Sequence, residues 1–168
     1  MEQALQESIE VLHVDDDPDF VELAATFVER EDDRFTVRTA TGADEAVDRL
    51  EEERVDCVVS DYEMPGQNGI EFLKTVRERS PDLPFVLFTG KGSEEIASEA
   101  ISAGVSDYLQ KGTGTERYEL LANRILTHVE QARTQQELEE REAHLRQAQT
   151  VADLGSWKLN LTTEELYW

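Results

Sequence analysis

Apolar residues concentrate in five short runs: Ile9–Val14, Phe35–Thr39, Val55–Ser60, Phe85–Phe88 and Val105–Leu109. The runs are mostly β-branched or aromatic, as strands covered on both faces should be. Between them the period changes. Phe20, Leu23, Ala24, Phe27 and Val28 fall at i, i+3, i+4, i+7 and i+8, one stripe of a helix. Ala43, Ala46, Val47 and Leu50 repeat the stripe. So do Ile70, Leu73, Val76 and Arg77, and then Ile96, Ala97, Ala100 and Ile101. The order is strand then helix, five times over, which predicts a parallel sheet with right-handed crossovers and helices on both faces.

The punctuation supports these boundaries. Asp17 followed by Pro18 reads as an N-cap with proline at the first helical position. Asn68 with Glu71 has the spacing of a capping box, and Ser93 opens the next helix. Gly104 stands where a helix ends in a left-handed residue. Five strands in about 115 residues fit an α/β doubly wound sheet of flavodoxin-like order 2-1-3-4-5.

The fifth helical segment outruns such a domain. From Thr115 to about Gln149 there is neither proline nor glycine. Leu120, Leu121, Ile125 and Val129 can pack on the sheet. Beyond them the chain is rich in Gln, Glu and Arg, with Leu138, Leu145 and Ala152 spaced seven apart. A helix of 35 residues is about 50 Å long. Its distal half must be solvated or paired, and pairing predicts a homodimer through this helix. In Leu154–Leu161 apolar and polar residues alternate as in a strand, with a turn at Thr162–Glu165 before Leu166-Tyr167-Trp168. A hairpin cannot stand alone, so these residues are expected to open a further domain. The expected organisation is a domain over 1–130, a helical linker over 131–150 and the start of a second domain over 151–168.

Composition narrows the function. Hydrophobic residues make up 39% of the chain, enough for a packed core. The net charge of −22 argues against nucleic acid or an anionic membrane as a partner. No apolar run is long enough to span a bilayer, and Met1–Glu10 lacks the order of a secretory signal. The single Cys57 suits a reducing compartment, so a cytoplasmic protein is expected. Lysine is scarce: Lys74, Lys91, Lys111 and Lys158 are all there are. That balance resembles proteins of salt-rich, halophilic cytoplasm, where screening relieves self-repulsion.

Candidate chemistry lies at the strand C-termini, where open α/β sheets bind ligands. Asp15, Asp16 and Asp17 follow the first strand. Ser60-Asp61 ends the third, Thr89-Gly90 the fourth, and Tyr108-Leu109-Gln110-Lys111 closes the fifth. Clustered carboxylates repel unless a cation sits among them, and Mg2+, a hard ion with oxygen ligands, suits them. Asp17 reads instead as the helix cap, Cys57 as a core residue and His128 as a solvated helix residue.

Four segments in this order closely resemble the response-regulator receiver family: Val11–Pro18, Val58–Gly66, Leu87–Gly90 and Asp107–Lys111. The resemblance covers roughly residues 9–130 and implies phosphorelay signalling. It makes Asp61 the phospho-acceptor facing a histidine kinase or phosphotransfer protein. It makes Asp15, Asp16, Asp61 and the backbone carbonyl of Glu63 the Mg2+ ligands. Thr89 and Lys111 would bind phosphoryl oxygens, Gly90 would leave room for the group, and Tyr108 would be the switch aromatic. One departure stands out, because Gly112 follows the lysine where the family usually has proline, so the loop is expected to be looser. Ala152–Trp157 through Leu166–Trp168 is similar to the opening of PAS sensor domains, an arrangement like that of a hybrid histidine kinase. This segment itself is not expected to be an enzyme. Two rivals stay open: a non-switching dimerisation module, and an aspartate-nucleophile phosphatase using Asp15 with Asp17.

Overall fold

A computed structural model describes residues 8–90 and 92–162, with side chains described as far as residue 149. It contains five strands: β1 (Ile9–Val14), β2 (Phe35–Ala40), β3 (Cys57–Ser60), β4 (Phe85–Thr89) and β5 (Asp107–Gln110). They alternate with α1 (Pro18–Glu31), α2 (Ala43–Glu52), α3 (Gly69–Arg79), α4 (Glu94–Ser102) and α5 (Glu116–Thr162). All adjacent strands pair in parallel, and the sheet order is β2-β1-β3-β4-β5, the doubly wound order expected. β3 and β5 each begin two residues later than the apolar runs, at Cys57 and Asp107.

Strand residues alternate between two cores. Leu12, Val14, Val58, Phe85 and Leu87 meet Ala46, Ile70, Leu73, Val76 and Ala100 from α2, α3 and α4. Ile9, Val11, Cys57, Val59, Val86, Phe88 and Leu109 meet Val28 of α1 and Leu121, Ala122, Ile125 and Val129 of α5. This two-sided burial explains why the strands read as unbroken apolar runs. Cys57 is fully buried, and burial pushes its thiol far above the ordinary range, as befits a core residue.

Helix starts follow the local sequence. Asp17 caps α1 through the amide of Phe20, 3.2 Å away. Asn68 and Glu71 form the complete capping box on α3. Gly42, the N-cap of α2, has no side chain to offer, and Glu45 reaches back instead to the amide and hydroxyl of Thr41, each at 3.0 Å.

The chain divides into two compact units, Met1–Ala132 and Arg133–Trp168. In the first, Tyr118, Leu121, Ile125 and Val129 of α5 are buried. His128 is not the solvated residue its position suggested. Its Nε2 lies 3.0 Å from Asp107 Oδ2, beside an Arg124–Asp107 ion pair at 3.1 Å, so the two side chains tie α5 to β5. In the second unit Leu138 and Leu145 are exposed on a helix with Gln135–Glu139, Gln136–Glu140 and Glu142–Arg146 contacts one turn apart.

The strand expected over Leu154–Leu161 is not formed; those residues continue α5 to Thr162. A short alternating run does not exclude a helix, since Leu154, Trp157 and Leu161 also share a helical face and no proline intervenes. The expected turn after Thr162, and Leu166-Tyr167-Trp168, lie outside the described residues.

Candidate functional site

The strand register brings the predicted residues to one edge of the sheet. Val14 pairs with Ser60, so Asp15 and Asp61 leave adjacent strands side by side. The Asp15 amide donates to Ala40 O at 3.0 Å, and the Asp61 amide to Val14 O at 2.9 Å. Thr89 pairs with Gln110, and the Lys111 amide donates to Thr89 O at 2.9 Å. Backbone hydrogen bonds therefore hold four segments, distant in the chain, in fixed register.

Asp15, Asp16 and Asp61 each offer a carboxylate oxygen, and these atoms lie within 4.8 Å of one another. Asp15 is 1% exposed and Asp61 8%, while Asp16 faces solvent. Lys111 Nζ lies 2.7 Å from Asp15 Oδ2 and 3.5 Å from Asp61 Oδ2. Asp15 Oδ1 accepts from the Asp17 amide at 3.0 Å, and Asp61 Oδ1 from the Tyr62 amide at 2.8 Å. Thr89, at the end of β4, is buried and stands close enough to the Asp61 carboxylate to favour its charged form.

Burial holds the Asp61 carboxyl above the ordinary aspartate range. Lys111 opposes that shift, nearby Asp15 adds to it, and the hydrogen bond from the Tyr62 amide and the nearby Thr89 side chain work against it. A cation among the three carboxylates would relieve the desolvation and the repulsion together. Three oxygen donors, one open to solvent, fit a hard divalent ion that keeps part of its water shell.

The other predicted residues fall nearby. Glu63 is exposed in the loop after β3, two residues beyond Asp61. Tyr108 is half-buried on β5 and packs on the core beneath α2, α3 and α4. A Cβ placed on Gly90 would lie 3.9 Å from Lys111 Cδ, so this glycine borders the lysine side chain. Asp17 is the α1 cap, as expected.

Sequence reasoning missed Gly69. A Cβ there would lie 2.3 Å from Asp61 O and 2.8 Å from Leu87 Cδ1, so only glycine lets α3 begin against the acceptor's backbone. Its amide donates to Tyr62 O at 2.7 Å and closes the loop that carries Glu63. The one available signal was a glycine between a perfect cap and an apolar helix, where alanine would propagate the helix better. Phe20 read only as a core stripe residue, yet its ring lies 4.3 Å from Lys111 Nζ. His13 is 2% exposed on the same side of the sheet; burial lowers its pKa to about 4, and its Nε2 has no hydrogen-bond partner among the described residues.

Fold and site together define a doubly wound α/β protein with a buried acid–lysine cluster at the carboxyl edge of its sheet. The chain belongs to the response regulator receiver domain family, whose model matches residues 11–123. It is similar to the response regulator SaeR of Staphylococcus aureus (strain USA300), at 32% identity over 119 residues, 71% of this chain and 51% of that protein. The chain thus spans about half the length of the curated relatives it matches. Among solved structures, a CheY-like receiver domain protein from Methanospirillum hungatei JF-1 matches with TM-score 0.68 and 23% identity, covering 76% of this chain and 98% of that one. The chemotaxis response regulator CheY4 of Vibrio cholerae matches with TM-score 0.63 and 27% identity, covering 70% and 98%. A beryllofluoride-activated NtrC4 receiver domain dimer matches with TM-score 0.64 and 28% identity, covering 71% and 98%.

Proposed function

We propose that this receiver domain accepts a phosphoryl group on Asp61 from a histidine kinase or phosphotransfer protein and passes the change to α5. The observation that carries the reading is the Lys111 ammonium set between the Asp15 and Asp61 carboxylates, with buried Thr89 beside the same acceptor. Phosphoryl transfer depends on positioning and charge neutralisation more than on covalent help from the protein. In the step, an Asp61 oxygen bonds to phosphorus while the phosphorus–nitrogen bond of phosphohistidine breaks. The imidazole leaves with the electron pair and is protonated.

Receiver domains generally bind Mg2+ at an acidic site, and Asp15, Asp16 and Asp61 would hold it here together with the Glu63 carbonyl. The ion supplies charge neutralisation for the transferred oxygens. Lys111 neutralises the opposite side, and Thr89 donates to a phosphoryl oxygen. The product carries close to two negative charges where one stood. Thr89 and Lys111 are drawn toward it, and Tyr108 follows Thr89.

The segment acts as an autocatalysed acceptor rather than a turnover enzyme. The phosphatase alternative uses Asp17, but Asp17 is occupied as the α1 cap. Dimerisation through α5 rests on the seven-residue spacing of its leucines, and the PAS-like reading of residues 151–168 on their resemblance to the opening of PAS sensor domains.

The decisive experiment incubates the protein with Mg2+ and a small phosphodonor such as acetyl phosphate. Phosphoryl incorporation is expected in the wild type and absent in Asp61→Asn. Equal incorporation in both would sink the proposal.

A further inference from the structure

The loop that carries Lys111 is weakly determined by its own sequence. Gly112 and Gly114 both have left-handed φ, +56° and +84°, and no proline stiffens the segment. Lysine position is nonetheless the quantity on which charge neutralisation at Asp61 depends. The Thr89 carbonyl fixes its backbone and Asp15 its ammonium, and further contacts outside the loop hold the rest of the side chain and the loop after it.

Two side chains are placed to do so. The Phe20 ring, on the first turn of α1, lies 4.3 Å from Lys111 Nζ. The Arg117 guanidinium carbon, on the first turn of α5, lies 5.3 Å from the same ring and 4.6 Å from the Tyr118 ring. Arg117 also donates to Gly112 O at 3.3 Å and to Tyr118 Oη at 2.6 Å. One aromatic ring therefore carries two cations, and the second cation grips the backbone next to the first. Arg117 Nε is buried and meets no hydrogen-bond acceptor among the described residues, which fits a guanidinium held on aromatic rings. Tyr118 is 1% exposed and stacks on Phe27 of α1 at 4.8 Å, so the α5 end of this chain of contacts is anchored in the core.

We propose that Phe20 and Arg117 are positioning residues for Lys111, and that they carry the lysine's displacement to the first turn of α5. The inference rests on the phospho-acceptor reading of Asp61. Phe20 sets where the ammonium rests, and Arg117 replaces the missing proline as the brace on the loop. When the new charge at Asp61 pulls Lys111 from Asp15, the ammonium leaves the Phe20 ring. Among the described residues Arg117 is then the cation left on that ring, and the Gly112 carbonyl it grips shifts with the loop. The route to α5 is separate from the one through Thr89 and Tyr108, because Phe20 and Arg117 lie on the α1–α5 side of the sheet.

The test compares wild type, Phe20→Leu, Phe20→Tyr and Arg117→Gln, with thermal melts to check folding. Phosphoryl uptake from acetyl phosphate with Mg2+ is timed. Amide shifts of Glu119, Leu120 and Leu121 are followed by NMR on adding beryllofluoride. Phe20→Leu and Arg117→Gln are expected to slow uptake about three- to tenfold, the range of a partly desolvated cation–π contact. Both should lose the α5 shifts, and Phe20→Tyr, which keeps the ring, should retain rate and shifts. Wild-type rates and shifts in Phe20→Leu and Arg117→Gln overturn the inference, as does equal slowing in Phe20→Tyr and Phe20→Leu. If Phe20→Leu fails to fold, the part-exposed Arg117→Gln decides alone. A wild type that takes up no phosphoryl group strikes the phospho-acceptor reading, and this inference falls with it. A labelled wild type with unaffected variants strikes this inference alone.

Discussion

Lys111 Nζ is bonded to Asp15 Oδ2 at 2.7 Å, closer than its 3.5 Å approach to the acceptor Asp61. The nearly buried Asp15 carboxylate thus takes its main compensation from a residue 96 positions away in sequence. A buried charge left without its partner is costly. Replacing Lys111 with Met is expected to destabilise the domain by about 1–3 kcal/mol, since the lysine is partly exposed. Urea unfolding at neutral pH measures it. An unchanged midpoint would show that the ion pair contributes nothing to folding.

Asp16 offers a separate handle on the cation site. Its side chain faces solvent, so Asp16→Asn should leave stability nearly unchanged in the presence of a chelator. In the wild type, Mg2+ at a hundred times its dissociation constant is expected to raise stability by about 2.7 kcal/mol through mass action. Thermal melts with and without Mg2+ should show that gain in the wild type and lose most of it in Asp16→Asn. Equal gains in both proteins would remove Asp16 from the ligand set.

The fold and most of the site were legible because both depend on local pattern. Two-sided burial writes strands as apolar runs, and Asp15, Asp61, Thr89 and Lys111 each stand at the end of one. Phe20 and Gly69 were illegible as site residues for opposite reasons. Phe20 satisfies the helical stripe so well that a second role left no trace. Gly69 matters through a backbone approach to Asp61, a tertiary distance that no spacing encodes. His128 was misread because its partner Asp107 lies on β5, and helical periodicity carries no information about a facing strand. The Leu154–Leu161 alternation failed because eight residues cannot separate a period of two from one of 3.6.

Gly69 gives a sharp packing prediction. An added methyl group would lie 2.3 Å from a backbone oxygen, which cannot rotate away. Gly69→Ala should therefore cost about 1–3 kcal/mol, although alanine is the better helix former. The same clash moves the Asp61 backbone, so phosphoryl uptake should fall more than stability does. Denaturant midpoints and labelling rates measured together check both, and a stabilised Ala variant would contradict the contact.

The start of α2 should carry a local pH dependence. Glu45 is held below the ordinary glutamate value of 4.5, first by the Thr41 amide, against a smaller opposing effect of burial, with the Thr41 hydroxyl and Arg49 helping. A carboxyl depressed in the folded state stabilises above its unfolded pKa, and that contribution is lost as pH falls through the folded value. Glu45→Ala is therefore expected to cost about 0.5–1 kcal/mol at pH 7, the usual worth of a cap contact. Near pH 3 the difference from wild type should shrink. A difference that stays constant from pH 7 to pH 3 would place the effect in helix propensity or packing instead of charge.

The last prediction concerns the second unit. Leu138 and Leu145 stand seven residues apart on α5, 48% and 61% exposed, in a stretch rich in Glu, Gln and Arg. Seven-residue spacing returns a side chain to nearly the same face, which is the geometry of a paired helix seam. A polar helix of this kind is marginal alone, and pairing would bury both leucines. The double variant Leu138→Glu, Leu145→Glu is expected to weaken self-association at least tenfold while leaving residues 1–132 folded. Sedimentation equilibrium measures the first and near-UV circular dichroism the second. If the wild type sediments as a monomer at high micromolar concentration, the two leucines are solvent-facing and the long helix carries no dimer seam.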